Sequence, residues 1–202
     1  MILDGRLALF HQSQRWLAVA DLHFGYEISQ RAAGRLHPLW GMASIEKRLF
    51  ELVADYRPTW LILLGDLVHN RAAAEPAEHL VARLRERCET VLLAGNHDRK
   101  IAAALGMVDS WETDGFQFHH GHNSPPAPDR IQVVGHHHPA SYLTDGAGLR
   151  LKLPAFIREE RRWILPAFSP WAAGAIWPGN GRAEVWLCTP RRVLRLQHAA
   201  AA

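Results

Sequence analysis

The sequence predicts an α/β fold in which two β-sheets pack together and helices cover the outside. In the first half, three short apolar segments alternate with two amphipathic ones, an order typical of a parallel sheet with helices on its faces. In the second half, short apolar segments follow one another closely, which favours a more antiparallel sheet. No linker divides the 202 residues, so we expect a single domain over residues 1–202.

The individual elements follow from the spacing of apolar residues. Short apolar runs predict strands, and apolar residues at helical spacing, such as Ile45, Leu49 and Leu52, predict helices. Pro58 ends the longest helix. The first-half strands are predicted at residues 15–20, 60–64 and 90–94, and the helices at residues 42–56, 75–87 and 99–105. The second-half strands are predicted at residues 116–119, 131–134, 163–167, 183–187 and 192–196.

Composition excludes several classes of protein. Hydrophobic residues make up 48% of the chain and charged residues 21%, which excludes an intrinsically disordered protein. No apolar run approaches the roughly 20 residues of a membrane-spanning helix, so we expect no membrane partner. Cys88 and Cys188 are far apart and in no metal-binding spacing. We therefore expect reduced thiols and a cytoplasmic protein.

Polar clusters follow the predicted strands, and most of the chain's 13 histidines belong to them. The first-half clusters are Asp21-Leu22-His23, Gly65-Asp66 and Gly95-Asn96-His97-Asp98. The second-half clusters are His119-His120-Gly121-His122 and Gly135-His136-His137-His138. Ligands of parallel α/β sheets bind beyond the carboxyl ends of the strands. We therefore expect the clusters to meet at one edge of the molecule.

The residue types in these clusters indicate a transition-metal site. Carboxylate oxygens and imidazole nitrogens together suit Mn, Fe, Ni or Zn, and the absence of cysteine argues against a structural zinc site. Residues i and i+2 of an extended backbone point the same way. Asp21 and His23 are therefore expected to face one ion, and so are His136 and His138. The glycine that precedes three of the clusters would let the backbone approach an ion or a phosphate.

Taken in order, the five clusters resemble the motifs of the calcineurin-like metallophosphoesterases. Those motifs are Asp-x-His, Gly-Asp, Gly-Asn-His-Asp/Glu, a histidine often followed by glycine, and Gly-His-x-His. The resemblance spans residues 21–138 and implies a four-layer α/β/β/α sandwich of two mixed sheets flanked by helices. Residues 20–25, 65–69 and 166–170 are more narrowly similar to the bacterial ligase-associated DNA-repair metallophosphoesterases, although Tyr26 stands where members often have lysine.

The resemblance implies a binuclear metal site with two divalent transition-metal ions as cofactors. We expect manganese, with iron, zinc, nickel and cobalt as alternatives. Asp66 would bridge the two ions. The first ion would be bound by Asp21, His23 and His138, and the second by Asn96, His120 and His136.

The resemblance also implies hydrolysis of a phosphodiester by a metal-bridging hydroxide that attacks phosphorus. His97 would act as general acid or charge stabiliser, and Asp98 would orient its ring. A second interpretation makes Asp98 the N-cap of the helix predicted to follow it. Both interpretations are compatible with the sequence.

Substrate-binding residues are expected on the rim of the site, within residues 31–40, 123–129 and 168–181. Arginine can contact a phosphate, and tryptophan can stack on a base. The candidates are His122, Arg31, Arg35 and Trp171. Too little of the chain remains after the five motifs for a domain that would enclose a small substrate, which favours an open site and a polymeric diester.

The narrower resemblance implies an endonuclease that cleaves single-stranded DNA in DNA repair, with repair ligase, helicase and exonuclease proteins as partners. One alternative is a small-molecule phosphatase or nucleotide pyrophosphatase of the same superfamily. An alternative of another class is a non-catalytic scaffold with the same fold. The complete set of metal-binding residue types argues against the scaffold.

Overall fold

The computed structural model describes residues 1–123, 129–178 and 182–196. Within them, the first sheet has five strands in spatial order β1 (Ile2–Asp4), β2 (Ala8–His11), β3 (Trp16–Val19), β4 (Trp60–Leu64) and β5 (Glu89–Leu93). Strands β3, β4 and β5 are parallel, as predicted. Strands β1 and β2 add an antiparallel extension at the edge, so the sheet is mixed rather than all parallel.

The described helices all precede the second sheet in the chain. They are α1 (Tyr26–Ala32), α2 (Gly41–Tyr56), a 3-10 helix (Arg71–Ala73), α3 (Ala74–Arg85) and α4 (Ala102–Leu105). Helices α2 and α3 match the predicted helices closely, α4 is shorter than predicted, and α1 was not predicted. Among the described helices, none combines the length and apolar character that a membrane crossing needs.

The second sheet has nine strands in the described residues. They are β6 (Ser110–Thr113), β7 (Phe116–His119), β8 (Ile131–Val134), β9 (Pro139–Thr144), β10 (Arg150–Glu159), β11 (Arg162–Ile164), β12 (Ala175–Ile176), β13 (Glu184–Cys188) and β14 (Val193–Arg195). The spatial order is β12-β9-β10-β11-β8-β7-β6, and β13 pairs with β10 and β14. Most pairs are antiparallel, but β7–β8, β8–β11 and β9–β12 are parallel. The predicted class, two mixed sheets flanked by helices, is confirmed.

The two sheets pack face to face through aromatic side chains. Trp16 of β3 lies edge-on to Phe116 and Phe118 of β7, with ring centroids 5.2 and 5.0 Å apart. Leu49 of α2 and Leu84 of α3 are fully buried in the same core. The loops at the ends of the sheets are attached to well-packed strands and helices, and this packing fixes the positions of the loops. The organisation of the whole chain as one domain stays a prediction.

The predicted clusters all lie at one edge of the molecule, where a short segment joins the two sheets. Residues 165–169 make this connection. The N–H of Leu165 donates to the carbonyl of Val134 (2.8 Å), and the N–H of Phe168 donates to the carbonyl of Ala20 (2.7 Å). The loops after β3, β4, β5, β7 and β8 thereby converge, as the sequence predicted.

Candidate metal centre

The polar clusters form two contiguous groups of side chains at this edge. In the first group, Nε2 of His138 lies 3.4 Å from Oδ1 of Asp21 and 3.3 Å from Nε2 of His23. In the second group, Nε2 of His120 lies 3.1 Å from Oδ1 of Asn96 and 3.2 Å from Nδ1 of His136. The structure therefore brings these six predicted ligands together in the two sets that the resemblance implied.

Asp66 lies between the two groups. Its Oδ2 atom is 3.9 Å from Nε2 of His23, and its Oδ1 atom is 3.5 Å from Nε2 of His120. One carboxylate oxygen thus faces each group, which is the placement that a bridging ligand requires. Its role as a bridge stays a prediction.

The donor atoms fit divalent transition-metal ions. Two atoms bound to one ion at about 2.0–2.1 Å each can be no more than about 4 Å apart, and the six separations given above satisfy this limit. Nδ1 of His120 lies 2.8 Å from the carbonyl of Leu64. If Nδ1 carries the proton and donates it to this carbonyl, the lone pair of Nε2 points into the second group. A hydrogen bond from the other ring nitrogen usually orients a metal-binding histidine in this way.

Burial and neighbouring charges hold two of these side chains in the protonation states that bind metal. Burial lowers the pKa of His23 to about 3, so its ring is neutral. Burial alone would raise the pKa of Asp66, but a hydrogen bond from His120, the charge of that ring in its protonated form and the N–H of His97 lower it to about 2. Metal ligands must be deprotonated, and both groups meet this requirement at neutral pH.

The backbone is left-handed at five of the seven predicted ligands. Eight described residues other than glycine have positive φ, and more than half of them belong to this set. The five are Asp21 (φ 55°), His23 (43°), Asp66 (47°), His136 (68°) and His138 (45°). Each costs about 1–2 kcal/mol relative to a right-handed backbone. Such conformations cluster at functional sites, where the surrounding structure imposes them.

One i, i+2 pair lies within a single group of side chains, whereas the other pair is divided between the two groups. Asp21 and His23 do lie together, in one group with His138. His136 instead contacts His120, in the second group. The alternation rule applies to extended backbone, and all four of these residues are left-handed, so the rule does not determine which group each side chain joins.

The motif glycines make room for the ligands themselves. A Cβ atom at Gly95 would lie 2.2 Å from both the backbone nitrogen and Oδ1 of Asp66. A Cβ atom at Gly65, where φ is +76°, would lie 2.4 Å from Nδ1 of His120. Neither position has space for a side chain. From the sequence, we expected these glycines to let the backbone approach an ion or a phosphate. In the structure, Gly65 and Gly95 instead allow close packing against ligand side chains.

Comparison with known proteins identifies the family. Residues 15–164 match the family model described as calcineurin-like phosphoesterase, which covers most of the chain. The chain belongs to the calcineurin-like phosphoesterase family. It is a metal-dependent phosphoester hydrolase, as the sequence motifs predicted.

The chain is also similar to solved structures. The nuclease MPE of Pseudomonas putida aligns with a TM-score of 0.73 and 29% identity, covering 96% of this chain and 93% of that chain. Yfce, a phosphoesterase from E. coli, aligns with a TM-score of 0.47 and 16% identity, covering 85% of this chain and 86% of that chain. No match was found among the curated proteins.

In this phosphoesterase, Asp98 ties two loops together and does not orient His97. Its Oδ2 atom accepts hydrogen bonds from the N–H groups of Gly95 (2.9 Å) and Leu67 (3.2 Å), and its Oδ1 atom accepts from Val68 (3.2 Å). The predicted roles as orienting residue and as N-cap are therefore wrong. The carboxylate is directed at the backbone of the loop after β4, about thirty residues earlier in the chain.

Replacing Asp98 is expected to destabilise the fold. Asp98→Ala should lower the free energy of unfolding by about 3 kcal/mol, because three buried N–H groups lose a charged acceptor. Thermal unfolding should then occur about 10 °C lower, with Asp109→Ala, an exposed aspartate, as the control. An unchanged unfolding temperature with lost turnover would instead favour a direct catalytic role.

His69, which was not among the predicted site residues, holds the ring of His97. Nδ1 of His97 lies 3.0 Å from the backbone carbonyl of His69, and the two rings are stacked with centroids 5.3 Å apart. The N–H of His97 also donates to Oδ1 of Asp66 (2.9 Å). Nε2 of His97 is left facing the site, 4.0 Å from Oδ2 of Asp66. In the sequence, the signal for His69 was its position within residues 65–69, one of the three segments that carry the narrower resemblance.

A cavity of about 250 Å³ lies directly over the first group. His97, the expected catalytic residue, opens onto it. The cavity is lined by His23, Tyr26, His69, His97, His138, Ser169, Trp171 and Ala172. This cavity is therefore the space in which a substrate phosphate would meet the metal centre.

Two of the four predicted substrate-binding residues lie at the site. Trp171 lines the cavity, and His122 is exposed with its ring 5.2 Å from that of His120. Arg31 and Arg35 are exposed, and both lie outside the described lining of the cavity. Of the predicted rim segments, residues 124–128 and 179–181 lie outside the described part of the chain.

Proposed function

We propose that this chain is a manganese-dependent endonuclease that cleaves single-stranded DNA in DNA repair. The observation that carries the proposal is the likeness to the Pseudomonas putida nuclease, at 29% identity over 96% of this chain and 93% of that chain. The aligned region extends over nearly the whole of both chains, so it spans the segments that carry the candidate ligands. The substrate class of the relative is therefore the best guide to the substrate class here.

The metal centre supplies the chemistry that phosphodiester hydrolysis requires. Bound ions neutralise the charge of the phosphate and generate a nucleophile from water near neutral pH. The chain would hold them with the seven ligands described above. Nε2 of His97 faces the cavity and can donate a proton to the leaving oxygen. The carbonyl of His69 keeps the ring in that orientation.

The shape of the site favours a polymeric substrate. Pockets that enclose small molecules usually have volumes of about 300–1,000 Å³, and the cavity here has only about 250 Å³. Its walls include the half-exposed side chains of Tyr26 and Trp171. A phosphate fits into this space, whereas the rest of a nucleic-acid strand would lie along the rim.

We assign manganese to the site because the resemblance implies it; the carboxylate, amide and imidazole donors are compatible with manganese, as they are with iron, nickel and zinc. The DNA-repair role, the partner ligase, helicase and exonuclease proteins, and the cytoplasmic location belong to the same proposal. These parts rest on the narrower resemblance of residues 20–25, 65–69 and 166–170.

Circular single-stranded DNA tests the activity directly. We expect the metal-stripped, manganese-reloaded protein to convert the circles to linear fragments, because an endonuclease needs no strand end. Bis(4-nitrophenyl) phosphate and 4-nitrophenyl phosphate should be incubated in parallel as a diester and a monoester. Hydrolysis of either small ester with the circles intact would favour the small-molecule phosphatase instead.

The scaffold alternative is tested by the same samples. A non-catalytic scaffold has no need to retain metal, so it would hydrolyse none of the three substrates and release its ions readily. The complete, closely packed ligand set of this chain supports the enzyme.

A further inference from the structure

An aromatic wall borders the cavity. We define it as Tyr26, His37, Trp40 and Trp171. The ring of Trp171 lies 4.4 Å from that of Trp40, 4.2 Å from that of His37 and 6.4 Å from that of Tyr26. Trp40 is half exposed, at 50% of its accessible surface. The wall therefore presents aromatic surface to solvent at the mouth of the site.

The wall reaches the catalytic centre through one intervening ring. Tyr26 lies 4.7 Å from His69, and His69 stacks on His97. Tyr26 and Trp171 line the same cavity as His97 and the first metal group. A group bound to the wall would thus be adjacent to a phosphate bound in the cavity.

A buried carboxylate holds Trp171 in this position. Glu27 is fully buried and lies at the start of α1. Its Oε2 atom accepts a hydrogen bond from Nε1 of Trp171 (3.1 Å), and its Oε1 atom accepts from the N–H of Met42 (2.7 Å). Burying a carboxylate is costly unless it is hydrogen-bonded, so this contact fixes the orientation of Trp171.

The start of α2 leaves space for this pair. A Cβ atom at Gly41 would lie 2.2 Å from Nε1 of Trp171 and 2.9 Å from Oε2 of Glu27. Glycine at this position is therefore what allows the indole and the carboxylate to meet. Three separate parts of the chain, α1, the start of α2 and the segment after residue 169, combine to build the wall.

We propose that the aromatic wall binds an unpaired nucleobase next to the phosphate being cleaved, with Glu27 as the positioning residue for Trp171. This inference rests on the proposed function. In a duplex, both faces of each base are covered by its neighbours, and unstacking a base costs free energy. An unpaired base has a free face for the wall. The wall therefore favours single-stranded over double-stranded DNA. The metal centre alone does not provide this preference.

The test compares two single strands that differ only in their bases. One is an oligothymidylate, and the other has the same length and charge but carries abasic tetrahydrofuran residues around its central phosphates. Stacking of one base on an aromatic side chain is worth about 5- to 150-fold in affinity. We expect the wild-type enzyme to cleave the thymidine strand with a kcat/KM at least about tenfold higher than that of the abasic strand.

Variants of Trp171 assign this preference to the wall. Trp171→Ala should lower the ratio of the two kcat/KM values, thymidine strand over abasic strand, about tenfold. Trp171→Phe, which keeps a stacking face but lacks the N–H group that contacts Glu27, should retain only part of this ratio. Glu27→Gln, which alters the same contact, should also lower the ratio in part. Leu149→Ala, at an exposed apolar position, is the control.

The possible results of this experiment distinguish the base-binding role of the wall from the nuclease activity itself. Equal cleavage of both strands by the wild-type enzyme, or an unchanged preference in Trp171→Ala, would overturn the base-binding wall and leave the nuclease in place. Equal loss on both strands in Trp171→Ala, with Trp171→Phe no better, would show a structural role only and also overturn it. Cleavage of neither strand by the wild-type enzyme would overturn the proposed function and the wall together.

Discussion

Asp66→Asn is expected to reduce phosphodiester hydrolysis about a thousandfold or more and to lower the amount of bound metal. Asp66 is the side chain that lies between both ligand groups, 3.9 Å from His23 and 3.5 Å from His120. Asparagine keeps the size of the side chain but removes its charge. The charge stabilisation supplied by bound ions amounts to several kcal/mol, and each 1.36 kcal/mol lost from the transition state is about tenfold in rate.

Steady-state hydrolysis of bis(4-nitrophenyl) phosphate and the metal content of the purified variant test this result together. Asp109→Asn, which removes an exposed carboxylate, is the matched control and should behave as wild type. Circular dichroism would establish that Asp66→Asn is folded. Full activity, or an unchanged metal content in an inactive variant, would contradict the bridging position of Asp66.

His97→Ala is expected to lower kcat on DNA by about 10²- to 10⁴-fold, the usual contribution of a general acid, while both ions stay bound. His97 contacts Asp66 only through its backbone N–H at hydrogen-bond distance. Its ring nitrogen Nε2 faces the cavity at 4.0 Å from that carboxylate. Truncating the side chain therefore removes the proton donor and leaves the ligand groups intact.

The leaving group distinguishes proton donation from other roles of His97. Nitrophenolate leaves readily without a proton, so His97→Ala should lose much less on bis(4-nitrophenyl) phosphate than on DNA. His79→Ala, at an exposed histidine of α3, is the control. An equal loss on both substrates would contradict the role as general acid, and loss of metal would place His97 among the ligands instead.

The convergence of the candidate ligands was largely predictable because these residues follow strands that are easy to recognise. Strands β3 and β4 are continuous apolar runs and β5 ends in one, and the carboxyl ends of these parallel strands must share one edge of the sheet. Polar residues directly after such strands, as at Asp21, Asp66 and Asn96, are therefore brought together by the topology. The spacing of His136 and His138 does not reveal that each has left-handed backbone, so the alternation of an extended strand does not predict which group each side chain joins.

The elements that the sequence did not reveal break the usual patterns. Helix α1 has only seven residues, and the buried positions include the polar side chains Glu27, Ser29 and Gln30, so apolar periodicity is absent. Strand β10 contains Pro154, a residue that normally argues against a strand interior. The role of Asp98 depends on partners about thirty residues away, and a contact of that kind has no local signature.

The number of manganese ions bound per chain tests the metal centre most directly. Equilibrium dialysis of the metal-stripped protein against Mn²⁺, followed by elemental analysis, measures this number. Two ligand groups joined by one carboxylate predict two ions per chain. A single ion at saturation, or none, would contradict the binuclear site.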